Sequence, residues 1–134
     1  MEYYKQEFNL EEHFQLVGYI LVANNEKGDI QLRGENVDVP YDEFTEDVDY
    51  LFLSEEEHKC LEDVFYRYRE EFGMYFLDYF EEDEMKAENV GRAIEIVKAE
   101  QEKENSDVKK LALEKLLFML NKAYQRNGIV SFVL

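Results

Sequence analysis

The chain has 134 residues, 46% of them apolar and 15% aromatic, and a formal net charge of −17. That is enough apolar material for one hydrophobic core and too much for a disordered chain, and the length suits a single domain spanning residues 1–134. The charge argues against direct binding to nucleic acid, which rests on cations that displace counterions from phosphates, and against anionic membrane surfaces.

Cys60 is the only cysteine, so no disulfide can form within the chain. The opening residues MEYYKQEFNLEEH lack a basic flank followed by an apolar run. No apolar stretch approaches the ~20 residues of a membrane helix. The expected location is therefore the cytoplasm. Glu56, Glu57, Glu62 and Asp63 surround Cys60 in sequence and would raise a thiol pKa, which speaks against a reactive cysteine.

In chain order, residues 1–13 carry no assignment. FQLVGYILVANNEKGDIQLRG then admits two readings. One is a hairpin, with strands at 15–23 and 29–33 and a turn in which Gly28 takes positive φ. The other is a helix capped by Asn9 and Glu12, with Leu10, Phe14, Val17 and Leu21 on one face. Gly18 and the β-branched residues favour the hairpin. Residues 34–47 read as an acidic connection around Pro40, and 48–53 (VDYLFL) as a buried strand.

Ser54-Glu55-Glu56-Glu57 matches a capping box, which predicts a helix from there toward residue 80. At ~100° per residue, Leu61, Phe65, Tyr68, Phe72, Tyr75, Phe76, Tyr79 and Phe80 share one arc. That arc is expected to be core, with Arg67, Glu70, Glu71, Asp78 and Glu81 opposite it. Tyr66, Met74 and Leu77 fall off the stripe and are left for a second contact. The acids at 81–84 are expected to end this helix.

A third segment, 89–104, places Val90, Ala93, Ile94 and Val97 on one face. Ser106 or Asp107 then caps a helix that is apolar nearly all round from Leu111 to Leu120, with Gly128 expected to close it in the left-handed region. IVSFVL at 129–134 reads as a strand. The expected fold is α+β, a single compact domain with a small, mainly antiparallel sheet packed against about three helices.

Chemistry finds little material. There is no G-x-S-x-G elbow, and the glycines form neither G-x-G-x-x-G nor a P-loop. His58 and Cys60 are two apart, which on a helix points them to different sides, and zinc needs three or four converging ligands. Asp47-Val48-Asp49 forms a D-x-D pair, which a chain this acidic produces by chance. No catalytic residue, metal or cofactor is expected.

What remains is the charge distribution. Residues 1–90 hold 26 acids against 7 Lys/Arg, and residues 91–134 hold 6 against 8. Residues 34–58 contain ten acids and no Lys or Arg. One-sided charge costs stability through self-repulsion but steers association, which points to a basic protein partner. In size and charge the chain resembles bacterial immunity proteins that neutralise nuclease toxins, and phage proteins that mimic DNA. The resemblance rests on no motif and carries over no residues.

The expected function is thus inhibition of a basic nuclease or nucleic-acid-binding protein. The residues expected at the interface are Glu35, Asp38, Tyr41, Asp42, Glu43, Glu46, Asp47, Asp49 and Tyr50, with Tyr41, Tyr50 and Tyr66 as surface tyrosines that anchor among carboxylates. The alternatives are an enzyme using paired carboxylates or a divalent metal, and an adaptor or regulatory domain.

Overall fold

A computed structural model describes residues 16–33, 47–74 and 82–133. They form four strands, β1 (Leu16–Ala23), β2 (Val48–Ser54), β3 (Glu82–Met85) and β4 (Val130–Val133). Five helices accompany them: α1 (Glu26–Arg33), α2 (Glu55–Cys60), α3 (Glu62–Phe72), α4 (Ala87–Gln101) and α5 (Asp107–Arg126). The sheet order is β2-β1-β4-β3, antiparallel at every junction. The fold is α+β, as the sequence pattern indicates.

Directly opposed residues in an antiparallel pair share a face of the sheet. Ile20, Val22, Leu51, Val130, Phe132 and Met85 lie on one face by register, all buried. Phe65 of α3 meets Phe132 edge-on there, with ring centroids 6.1 Å apart. Leu21, Ala23, Val48, Tyr50, Phe52 and Ser131 lie on the other face, and they too are buried. A strand buried on both sides reads as a continuous apolar run, and VDYLFL is one.

Residues 29–33, expected as a second hairpin strand, belong to helix α1. The Asn25 side-chain oxygen accepts the N–H of Gly28 at 3.0 Å, which is an N-cap, and Glu26 and Asp29 suit the positive end of the dipole. Gly28 is needed for close approach rather than for positive φ. A Cβ there would overlap the carbonyl oxygen of Asp47 and crowd the Cβ of Ala23.

The capping box at Ser54 and Glu57 forms. The helix it starts is interrupted at Leu61 (φ −93°, ψ 2°), whose N–H is shared between the carbonyls of Glu57 and His58. It then stops at Phe72, because Gly73 takes the left-handed conformation at φ 70°. Residue 80 is therefore not its end. The outer half of the predicted stripe (Tyr75, Phe76, Tyr79, Phe80) and Leu77 lie outside the described residues. Within them Leu61, Phe65 and Tyr68 are fully buried, while Phe72 is only partly so. Burial pushes the Tyr68 phenol well above its ordinary range, and its hydroxyl donates to the carbonyl of Ala93 at 2.9 Å, which ties α3 to α4. Met74, expected off the stripe, is buried.

Residues 82–85 do not end a helix but form the edge strand β3. The backbone N–H of Glu84 donates to its neighbour Asp83 at 2.9 Å (Oδ1), so a carboxylate covers that donor on the last strand of the sheet. On α4, Val90, Ala93 and Val97 face the core as predicted, joined by Ile96, with Ile94 partly exposed. Ser106 caps α5 by accepting from the N–H of Lys109. The left-handed residue that closes α5 is Asn127 (φ 54°), not Gly128. No helix among the described residues is long and apolar enough to cross a membrane.

Candidate partner-binding surface

Of the residues expected at an interface, Glu35, Asp38, Tyr41, Asp42, Glu43 and Glu46 lie outside the described residues. The structure places the other three at the start of β2. Asp47 is half-buried; its carboxylate accepts from the Asn25 side-chain amide at 3.1 Å, and its carbonyl accepts from the Asn24 N–H at 2.8 Å. Asp49 is 3% exposed and pairs with Lys122 of α5 at 2.7 Å. Tyr50 is 4% exposed and packs edge-on against Phe52 at 5.3 Å. Asp49 and Tyr50 are thus core residues rather than surface anchors, because β2 is covered on both faces.

The D-x-D pair is engaged in tying α1 and α5 to the sheet. No group of three or more His, Cys, Asp or Glu among the described residues could hold a metal. Beside Asp49 a cavity of about 160 Å³ is lined by Ala23, Asn24, Gln125, Lys122 and Arg126. Its two cations are already met by carboxylates, Lys122 by Asp49 and Arg126 by Asp29, each at 2.7 Å. The cluster is explained by fastening the end of α5, where cations also suit the helix dipole.

Cys60 is partly buried, and burial first, then Glu56, pushes its thiol above the ordinary range against opposing effects of Lys109 and Ser106. A nucleophilic role is not what this setting provides.

Acids that reach solvent include a group on α2 and α3. Glu55, Glu56, Glu62, Asp63, Glu70 and Glu71 are exposed. Glu55 pairs with Lys59, and Glu71 is held below its ordinary range by the hydrogen bond from Arg92, with Arg67 adding to it. Asp63 meets Lys109 only at 3.7 Å. Among the described residues, Glu56, Glu62 and Glu70 have no Lys or Arg within ion-pair distance.

Glu62, Tyr66 and Glu70 are spaced four apart, so they stack along one face of α3, with Asp63 and Arg69 beside them. Tyr66 is 50% exposed while Phe65 and Tyr68 on either side are buried. Its phenol is pushed above the ordinary range, first by the hydrogen bond to Glu70 and then by that carboxylate's charge. A flat ring between carboxylates offers an arginine a stacking face and a bidentate partner together.

Tyr66 could be read from the sequence because it falls off the aromatic arc. Its acidic flanks were overshadowed by the denser run at 34–58. Lys115, fully buried on α5, was missed, although its place inside the apolar run LEKLLFML was a signal. The chain matches none of the protein-family models, curated proteins or solved structures with which it was compared.

Proposed function

We propose that this protein is a binding domain that docks an acidic, tyrosine-bearing face onto a basic protein partner. In this reading it acts as an inhibitor, covering the cationic active site or groove of a nuclease or nucleic-acid-binding protein, as an immunity-type or DNA-mimicking protein does. The observation that carries the reading is Tyr66, half-exposed between Glu62 and Glu70 on the outer face of α3. Charge supports it, since a net of −17 favours rapid encounter with a cationic surface. A ring set among carboxylates supplies the anchor that charge alone does not. The acids of residues 35–46 extend the same reading.

The test starts from the basic partner recovered at low salt from the native host and follows its association rate with purified variants. Glu62→Lys, Tyr66→Ala and Glu70→Lys combined should slow association at least about tenfold, with a loss that shrinks as salt is added. Asp42→Lys, Glu43→Lys and Glu46→Lys combined should do likewise. Glu102→Lys with Glu104→Lys, exposed but amid mixed charge, should change the rate by less than about twofold. Equal slowing by all three sets, or rates indifferent to salt, would show that no acidic face is being recognised.

A further inference from the structure

The inner side of α2 carries ionisable groups that the outer face does not use. Glu57 spends one carboxylate oxygen on the capping box, accepting the N–H of Ser54 at 2.9 Å. Its other oxygen lies 2.6 Å from Nζ of Lys115, which is fully buried midway along α5. The same Nζ donates to the carbonyl of Phe52 in β2 at 3.4 Å. His58, the next residue, is 2% exposed, with its ring centroid 5.7 Å from that of Phe65. Helix α2, strand β2 and helix α5 thus meet around a buried ion pair with a buried imidazole beside it in sequence.

Burial lowers the affinity of both bases for protons. It holds His58 below its ordinary range, opposed by the Glu62 carboxylate one turn on. It likewise holds Lys115 below its ordinary range, opposed by the hydrogen bond and charge of Glu57. Among the described residues, the charged groups bearing on this junction include Glu57 on α2, Glu62 on α3 and Lys115 on α5, while β2 contributes a carbonyl. Protonating His58 in place would add a second cation to a core that already holds Lys115.

We propose that Glu57 and His58 of α2 with Lys115 of α5 form an acid-sensitive latch, which seats the α2–α3 unit at neutral pH and releases it in mildly acidic solution. A released unit exposes His58 to water, where it takes its proton at ordinary affinity. The sign follows from linkage. The folded site binds its proton less readily than the open one, so stability is full above the ordinary histidine value of about 6.5 and falls as pH drops below it. Each pH unit between the open and closed values shifts the closed-to-open ratio by up to about tenfold. Ordinary carboxylates remain ionised across most of this window, which leaves histidine as the group that titrates.

The test uses the full chain in a His13→Gln background, which makes His58 the only histidine. Amide hydrogen exchange, corrected for intrinsic rates, is followed from pH 7.5 to pH 5.5. Opening of residues 55–72 should rise by up to roughly tenfold between pH 7.5 and pH 5.5, most of it below pH 6.5, while α4 stays flat. His58→Leu should remove that pH dependence. In the parent, the imidazole proton resonance should begin to titrate only below the ordinary histidine range and in step with the opening of 55–72. Opening of α2–α3 and α4 together, a pH response that survives His58→Leu, or an ordinary titration of His58 in the closed protein would each overturn the latch.

Discussion

Gly28 and Gly91 both sit inside helices, where a glycine costs about 0.5–1 kcal/mol relative to alanine, yet their surroundings differ. At Gly28 the helix lies so close to the chain leading into β2 that a Cβ would overlap the Asp47 carbonyl, which belongs to backbone and cannot swing away. At Gly91 a Cβ would lie 3.4 Å from an edge carbon of Tyr124, a surface ring that is 63% exposed and free to tilt. Gly28→Ala should therefore destabilise the protein by about 1–3 kcal/mol, as overpacking does. Gly91→Ala should be neutral or stabilise by up to about 1 kcal/mol. Urea denaturation of both variants checks this, and a loss of stability in Gly91→Ala equal to that in Gly28→Ala would contradict it.

At the scale of elements, the end of α5 shows where a residue-type rule misplaces a conformation. Asn127 takes the left-handed turn, and the following N–H, that of Gly128, closes back onto the Ala123 carbonyl at 2.9 Å. Asparagine tolerates that region and a β-branched residue does not, so Asn127→Val should cost about 1–2 kcal/mol or more. Gly128→Ala should cost less, since its backbone is not left-handed and its Cβ would make only ordinary contacts near Asp29. Thermal melts that rank the two variants the other way would count against this cap. The elements legible in the sequence are those with local signals: the capping box at Ser54, the apolar run of β2, the Ser106 cap and the buried faces of α4 and α5. The elements that were not legible depend on distant partners. Residues 29–33 turn helical because Asn25 caps them and Gly28 lets them close on Asp47. Residues 82–85 become a strand because β4 offers a ladder, and a sheet edge accepts charges that a central strand would not. The same holds for the candidate surface. Tyr66 followed from periodicity, whereas the burial of Asp49 and Tyr50 depends on both faces of β2 being covered.

For the whole molecule, the unevenness of charge matters more than its sum. The acids concentrated in the first 90 residues include those of β3, the last strand of the described sheet. An edge strand is a template on which another chain can lay itself down. Asp83 holds the Glu84 N–H that an incoming strand would need, and Glu84 itself is exposed. A second copy would also bring its own acids to the same line. We predict that Asp83→Thr with Glu84→Val leaves the fold intact but yields concentration-dependent association in light scattering at neutral pH, where the parent stays dispersed. A variant as dispersed as the parent at every concentration would show that these two acids guard nothing. The acids at this edge thus bear on kinship: a chain whose margin repels its own kind can be made in quantity without polymerising on the way.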